Sequence, residues 1–294
     1  MNNITIANET MKITKNKEYE SEGRLIHLPD IDFEEVVVIS PQVGEELLNT
    51  ELVDLYKTDD GQNENGNSND AADKVHDSKM CHISVTTEDS FQAGRRLKAS
   101  KSASEGKTLV MNFANAHNPG GGFRLGANAQ EEALCRCSTL YASITSKKAS
   151  EMYKYNNTHF SQVESDYMLF SPKVCVFRDE TYQFLEEPVV LGVVTIAAPN
   201  RYGAALLASA KLLKETMMRR IRIMLREAVK EGYRNLVLGA WGCGAFGNKP
   251  REVSKYFREI LLEEGYGKYF DEICFAIYGK EDGKNICAFR ETFS

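Results

Sequence analysis

The segment most informative about the architecture reads Thr108-Leu-Val-Met-Asn-Phe-Ala-Asn-Ala-His-Asn-Pro-Gly-Gly-Gly122. Its first half is an apolar run that predicts a buried strand, and its second half is a glycine-rich turn. Glycine after a strand lets the backbone approach a ligand and point its N–H groups toward it. The segment therefore predicts a strand of an α/β sheet that ends at a binding site.

Predicted strands and helices alternate on both sides of this segment. The predicted strands are 35–40, 82–86, 108–114, 173–177, 192–197, 235–240 and 273–278, and the predicted helices are 45–57, 88–99, 130–144, 205–230 and 250–264. Apolar strands separated by amphipathic helices indicate a mixed, mostly parallel sheet that is covered on both faces. We therefore expect an α/β protein with three layers, α/β/α.

The N-terminal part differs in pattern from the rest of the chain. Short apolar runs alternate with polar connectors, and residues 58–70 contain no apolar side chain, which predicts a mobile polar insertion at the surface. The length of 294 residues allows either two domains or one large α/β unit. We expect residues 1–75 to form an extension that packs on a core of residues 76–294, so that the chain makes one structural unit.

The composition disfavours several classes of protein. With 36 basic and 42 acidic residues the net charge is −6, which disfavours binding of duplex nucleic acid by charge but leaves room for a local anion pocket. The chain contains no apolar run long enough to cross a membrane and no secretory signal at its start, so a cytoplasmic protein is expected. Seven scattered cysteines suggest reduced thiols, and the five histidines lack the spacing of a zinc site.

A second glycine-rich turn follows the predicted strand 235–240. It reads Gly239-Ala-Trp-Gly-Cys-Gly-Ala-Phe-Gly-Asn248. Two such turns at one sheet edge are consistent with a phosphate site, although each could also be a simple tight turn. Neither matches a dinucleotide fingerprint or a Walker loop, which disfavours an NAD(P)-dependent oxidoreductase.

A pair of adjacent acidic residues starts the predicted helix 130–144. Seven residues separate Gly122 from Gln130-Glu-Glu132. Acidic side chains in a first helical turn stabilise the helix dipole, so alone this element favours a structural role. Adjacent side chains on a helix also diverge by about 100°, so Glu131 and Glu132 are expected to have two different roles.

The combination of these motifs is more specific than any one of them. A Gly-Gly-Gly turn, a seven-residue spacer and Gln-Glu-Glu resemble the signature of poly(ADP-ribose) glycohydrolases, and the surroundings are similar to the microbial-type branch. Ala197-Ala-Pro-Asn200 and the second glycine turn support the resemblance, which runs from residues 7–10 to beyond that turn.

The resemblance implies a macrodomain-like fold with ADP-ribose bound at the carboxyl ends of the strands. It implies a glycosidase that cleaves ribose–ribose O-glycosidic bonds of poly(ADP-ribose) without a metal or cofactor. In this family the second Glu acts as acid and base and the first holds ribose hydroxyls, which implies those roles for Glu132 and Glu131. The implied substrate-binding residues are Asn115, Gly120, Gly121, Gly122, Gln130, Gly242, Cys243, Gly244, Ala245, Phe246 and Asn248.

The resemblance also assigns parts of the ligand to these residues. Gly120 to Gly122 would lie along the diphosphate and distal ribose, and residues 242–246 would surround the diphosphate. Phe246 would pack on the distal ribose, and Asn115 would contact one of its hydroxyls. Two other functions stay open: hydrolysis of single ADP-ribose units on protein or nucleic acid, and non-catalytic binding of ADP-ribose. The expected partners are ADP-ribose and ADP-ribosylated macromolecules, and a monomer is expected.

Overall fold

The computed structural model describes residues 2–56, 81–100 and 107–294. These residues form strands β1 Glu18–Ser21, β2 Arg24–His27, β3 Val37–Ile39, β4 His82–Thr86, β5 Lys107–Ala114, β6 Met168–Arg178, β7 Phe184–Ala197, β8 Tyr233–Leu238 and β9 Glu272–Ala276. Strands β1 and β2 make a separate antiparallel hairpin. The other seven form one sheet in the order β3-β6-β7-β5-β8-β9-β4.

The sheet is mixed and mostly parallel, as the sequence predicts. Strands β7, β5, β8, β9 and β4 pair in parallel, whereas β3, β6 and β7 pair antiparallel. The carboxyl ends of β5, β7, β8 and β9 therefore meet at one edge. Strand β3 belongs to the N-terminal part of the chain, and it completes the sheet by pairing with β6.

Helices cover both faces of the sheet, which confirms the three-layer α/β/α prediction. They are α1 Asn3–Asn16, α2 Pro41–Asn49, α3 Leu52–Leu55, α4 Ser90–Ala99, α5 Gln130–Cys137, α6 Leu140–Ile144, α7 Ser150–Thr158, α8 Ala210–Lys230, α9 Pro250–Arg258 and α10 Lys284–Phe293. Leu109 and Met111 of β5 join an apolar cluster with α2, α8, α9 and α10. Val110 joins the opposite cluster with α1, α4, α5, α6 and α7, because successive strand residues face opposite sides.

Several predicted boundaries are wrong. The predicted helix 130–144 is two helices, because Ser138 is extended and forms a β-bridge with Val176. The predicted helix 45–57 begins earlier, at Pro41 after the Ser40 cap, and divides into α2 and α3. The predicted helix 205–230 starts at Ala210 after its Ser209 cap, since residues 204–207 form a separate 3₁₀ turn.

Helix α1 has no counterpart in the predicted elements, although it lies against the helix that carries the acidic pair. Thr10 Oγ1 donates to the Arg136 carbonyl at 2.7 Å, and Asn3 Nδ2 donates to the Gly126 carbonyl at 3.1 Å. The N-terminal residues thus support α5 and the turn before it. The expected polar insertion 58–70 lies outside the described residues, and the expected boundary near residue 75 does as well.

All seven cysteines are free thiols, as expected, and four of them are buried. In the part of the chain that the structure describes, no helix is both long enough and apolar enough to cross a membrane.

Candidate active site

A cavity of about 760 Å³ opens at the edge where the parallel strands end. Its wall combines residues that follow the strands, the first turn of α5 and part of the second glycine turn. The residues in this wall include Phe113, Asn115, Ala129, Gln130, Glu131, Glu132, Ala198, Ala240, Trp241, Gly242, Gly244, Ala245, Phe246, Ile277 and Tyr278. The cavity therefore lies where the sequence predicts a binding site.

Glu132 is held in this wall by two backbone amides. Its Oε1 accepts a hydrogen bond from the N–H of Gly122 at 2.9 Å, and its Oε2 accepts from the N–H of Ala129 at 2.9 Å. The residue as a whole is 7% exposed. The carboxyl group thus joins the first glycine turn to the start of its own helix, and both of its oxygens have fixed directions.

Glu131 points to different partners, as the divergence of adjacent helical side chains requires. Its Oε2 accepts from the N–H of Asn115 at 2.8 Å, and the Asn112 amide lies 3.4 Å from Oε1. Burial raises the pKa of Glu131 to about 8, against the opposing effect of hydrogen bonds from Asn115 and Asn112. This carboxyl group is therefore mostly protonated at neutral pH.

The first glycine turn makes close contact with both carboxyl groups. Asn115 Oδ1 accepts from the N–H groups of His117 and Asn118, each at 2.9 Å, which closes the start of the turn. Gly121 has a φ of 54°, and a Cβ there would stand 2.3 Å from Glu132 Oε1. Glycine is needed at this position because a side chain would displace the carboxyl group. Gly120 also has a positive φ, of 72°.

Gln130 ties the start of α5 to strand β5. Its Nε2 donates to the Met111 carbonyl at 2.8 Å and to Ser90 Oγ at 3.0 Å, while its Oε1 accepts from the N–H of Phe113 at 2.8 Å. The amide group extends the hydrogen bonding of the strand end, so its internal partners already explain its position. Contact with a ligand stays a prediction for this residue.

Asn248 closes the second glycine turn, and both Asn248 and Trp241 connect it by hydrogen bonds to the segment at the end of β7. Asn248 Nδ2 donates to the carbonyls of Pro199 at 2.9 Å and Gly242 at 3.2 Å. The fully buried Trp241 donates from Nε1 to the Ile196 carbonyl at 3.1 Å. Cys243 packs against the apolar core instead of joining the cavity wall, and burial raises the pKa of its thiol to about 12.

Some residues of the cavity wall had no place among the predicted site residues. Tyr278 follows β9, is 77% exposed and borders the cavity, so the rule that sites lie beyond strand ends could have found it. Asn128 and Asp89 carry no such signal, because tertiary packing brings them to the wall. Asp89 caps α4 by accepting from the N–H of Phe91 at 2.7 Å, and burial raises its pKa.

Within residues 2–56, 81–100 and 107–294, no group of three or more His, Cys, Asp or Glu side chains is arranged to hold a metal ion. His76 lies outside the described residues.

Comparison with known proteins places these features in a family context. Residues 7–179 match the family model for the catalytic domain of microbial-type poly(ADP-ribose) glycohydrolase (PARG). The comparison with curated proteins found no match.

Solved structures extend the similarity to almost the whole chain. PARG from Thermomonospora curvata is 32% identical, with a TM-score of 0.83 and 99% of each chain covered. A structure of that enzyme with the inhibitor ADP-HPD has a TM-score of 0.80, 32% identity and 98% coverage of each chain. PARG from Deinococcus radiodurans in complex with ADP-ribose is 33% identical, with a TM-score of 0.74, covering 91% of this chain and 98% of that one. These matches confirm the macrodomain-like fold.

Proposed function

The chain belongs to the microbial-type poly(ADP-ribose) glycohydrolase family, and we propose that it hydrolyses ribose–ribose O-glycosidic bonds of poly(ADP-ribose) to release ADP-ribose. The family match spans residues 7–179, and full-length relatives exceed 30% identity. Membership makes the protein a glycosidase. The substrate bond is proposed from this membership, and the roles of individual residues are proposed from the geometry of the cavity.

The observation that carries this proposal is the placement of two adjacent carboxyl groups in one cavity wall with separate sets of partners. Glu132 is held by the amides of Gly122 and Ala129, whereas Glu131 is held by the amide of Asn115. Two carboxylates that face each other across a bond, as in ordinary glycosidases, are about 5 to 9.5 Å apart. Neighbours on one helix diverge instead, so one carboxyl group carries the proton transfers.

Glu132 serves as this general acid and base. Its protonated carboxyl group gives a proton to the leaving 2′-oxygen while the bond to the anomeric carbon breaks and positive charge develops on the ribose. The resulting carboxylate then takes a proton from a water molecule whose oxygen bonds to the anomeric carbon. The cycle ends with Glu132 protonated again, and it consumes one water for each bond cleaved.

Glu131 binds rather than transfers protons. Its carboxyl group lies beside Asn115 at the end of β5, and its raised pKa of about 8 keeps it mostly neutral at pH 7. A neutral carboxyl group can both donate to and accept from sugar hydroxyls. We assign Glu131 and Asn115 to hydroxyls of the distal ribose.

The second glycine turn is suited to the diphosphate. In the described part of the chain, the backbone N–H groups of Gly244, Ala245 and Phe246 have no protein acceptor, and all three residues border the cavity. Free N–H groups in a turn form an anion-binding nest. The ring of Phe246 packs against the distal ribose, and the exposed ring of Tyr278 packs against the adenine of ADP-ribose.

Release of ADP-ribose from defined substrates tests the proposal. The pure protein is incubated with poly(ADP-ribose) and with mono-ADP-ribosylated protein, and free ADP-ribose is measured. Release from the polymer is expected. Release only from the mono-modified protein would identify a mono-ADP-ribosyl hydrolase, and binding without release would identify a non-catalytic binder. A chelator in parallel reactions tests the prediction that no metal is needed.

Glu132→Gln tests the assignment of the acid and base. We expect this variant to bind ADP-ribose with nearly unchanged affinity and to lose about 10²- to 10⁴-fold in kcat, the usual contribution of such a group. Glu151→Gln is the matched control, since Glu151 also lies in the first turn of a helix but outside the cavity wall. Retained turnover in Glu132→Gln would reject the assignment.

The remaining expectations concern the cellular setting. ADP-ribosylated macromolecules as partners, a monomeric state and a cytoplasmic location stay predictions from the sequence. ADP-ribose binding itself is supported by the relatives, because the Deinococcus radiodurans enzyme is known in complex with ADP-ribose.

A further inference from the structure

Arg136 is a completely buried cation on the helix that carries the acidic pair. It lies four residues after Glu132, so the two side chains share one face of α5. Its Nη1 donates to the Ala127 carbonyl at 2.6 Å, its Nη2 to Asn128 Oδ1 at 2.7 Å and its Nε to the Tyr182 hydroxyl at 3.0 Å. All three nitrogens of the guanidinium are engaged.

The partners of this guanidinium are neutral. Within the described residues, Arg136 forms no salt bridge. Burial of a cation without a carboxylate partner is costly, and an apolar side chain of similar length would fill the same space without that cost. A stabilising role in the core therefore does not explain an arginine here, whereas a role in fixing Ala127 and Asn128 does.

The segment that Arg136 contacts is connected to both residues whose amides hold Glu132: it precedes Ala129 in the chain and is hydrogen-bonded to Gly122. Ala127 and Asn128 precede Ala129, whose N–H donates to Glu132 Oε2 at 2.9 Å. The N–H of Ala127 also donates to the Gly122 carbonyl at 3.2 Å, and the N–H of Gly122 donates to Glu132 Oε1 at 2.9 Å. Because alanine at the N-cap has no side chain that could cap α5, this stretch depends on other contacts for its position.

We infer that Arg136 is a positioning residue, whose guanidinium fixes the segment from Ala127 to Ala129 and thereby the carboxyl group of Glu132. Arg136 is not part of the cavity wall, so it acts through Glu132 and not on the substrate. The inference rests on the proposed function, because it concerns the geometry of the proposed acid and base.

Arg136→Lys is the main test. Lysine keeps the charge, but a single ammonium cannot reach three acceptors that match the planar fork of a guanidinium. We expect kcat for ADP-ribose release to fall by about 10- to 100-fold, because a displacement of about 1 Å at a reacting group can cost that much. KM and the Kd for ADP-ribose should stay within about threefold, since the ligand contacts are intact.

Tyr182→Phe is a milder second variant. It removes only the hydroxyl, which accepts from Arg136 Nε and donates to Asn128 Oδ1 at 3.5 Å. The ring of Tyr182 lies against the guanidinium and also borders the cavity, so KM is measured beside kcat to detect a direct effect on the ligand. We expect kcat to fall severalfold with KM unchanged. This variant keeps the test decisive if Arg136→Lys does not fold.

Arg226→Lys is a control with a similar pattern of hydrogen bonds, at an arginine that is partly rather than completely buried. Arg226 also donates from Nε to a tyrosine hydroxyl, that of Tyr266 at 2.9 Å, and from Nη1 to two carbonyls at the C-terminal end of α2, those of Leu47 and Thr50. Its partners lie away from the cavity wall. The control should lose stability to a similar degree but keep the wild-type kcat.

The outcomes separate the two proposals. Polymer cleavage by the wild type, with a kcat loss in Arg136→Lys that Arg226→Lys does not share, supports the inference. The inference about Arg136 is overturned if Arg136→Lys keeps the wild-type kcat or if both lysine variants lose kcat equally. If Arg136→Lys does not fold, a wild-type kcat in Tyr182→Phe overturns it. Each of these results leaves the proposed function intact. A wild-type protein that releases no ADP-ribose from the polymer would refute the proposed function and the role of Arg136 with it.

Discussion

Gly121→Ala is expected to slow catalysis about 100-fold by displacing one carboxyl group while leaving the fold intact. The new Cβ would stand 2.3 Å from Glu132 Oε1 and 3.4 Å from Glu131 Oε2. Favourable contacts of a carbon atom begin at about 3.5 Å, so Glu132 Oε1 must move by about 1 Å. That movement distorts the 2.9 Å hydrogen bond from the N–H of Gly122.

Two separate magnitudes follow from this geometry. Gly121 has a φ of 54°, and an alanine in the left-handed region costs about 1 to 2 kcal/mol. A weakened hydrogen bond adds about 0.5 to 1.5 kcal/mol, so the free energy of unfolding should fall by about 1.5 to 3.5 kcal/mol. A displacement of about 1 Å at a reacting group costs about 100-fold in kcat, so catalysis is affected far more than the folded population.

The assay combines three measurements on the same protein. Steady-state release of ADP-ribose from poly(ADP-ribose) gives kcat and KM, calorimetry gives the Kd for ADP-ribose, and urea unfolding gives stability. Gly232→Ala is the matched control, because Gly232 has a φ of 73° and a Cβ there would meet no atom within 4 Å. It bears the same backbone cost and should keep the wild-type kcat.

Two results would refute this reasoning. A Gly121→Ala protein with the kcat of Gly232→Ala would show that the position of the Glu132 carboxyl group does not limit the reaction. A parallel loss of kcat and of ADP-ribose affinity would show that the turn acts through ligand binding instead.

Two further predictions concern a buried carboxyl group and a turn. Because the pKa of Glu131 is raised from 4.5 to about 8 in the folded protein, its contribution to stability is fully present below pH 4.5 and is lost as the pH rises through 8. Glu131→Gln should remove this decline in the free energy of unfolding, which is on the order of a few kcal/mol. The prediction is contradicted if the free energy of unfolding of Glu131→Gln, measured between pH 4.5 and 8, falls with pH as steeply as that of the wild type. Asn248→Ala removes two hydrogen bonds, to the carbonyls of Pro199 and Gly242, and should cost about 2 kcal/mol of stability. It should also raise the Kd for ADP-ribose severalfold with little change in kcat, and an unchanged Kd in calorimetry would show that this amide does not shape the diphosphate turn.

Much of the architecture could be predicted from local patterns. The strand 82–86 has the predicted bounds, and the strand predicted at 108–114 begins one residue earlier. The strand at 108–114 shows a nearly continuous apolar run because it lies in the middle of the sheet and is buried on both faces. The strand at 82–86 lies at the sheet edge and shows instead an alternation of apolar and polar residues. The glycine turns after two strands likewise indicated the edge of the sheet that holds the cavity.

Elements whose burial depends on distant partners were missed or misplaced. Helix α1 was not predicted, since its contacts with Arg136 and Gly126 join residues more than a hundred positions apart. The end of α5 was misplaced because a β-bridge between Ser138 and Val176 interrupts an otherwise helical pattern. Long-range contacts of this kind leave no local pattern in the sequence.

The sequence alone determined the class of fold, the sheet edge that holds the site and, through its Gly-Gly-Gly and Gln-Glu-Glu motifs, the family. Only the tertiary structure showed that burial raises the pKa of Glu131 and that the Arg136 guanidinium contacts the segment whose amide holds Glu132. The physical reason is that apolar periodicity depends on which face of one element is buried. The protonation and direction of a carboxyl group depend instead on amides and charges that separate segments bring within about 3 Å of it.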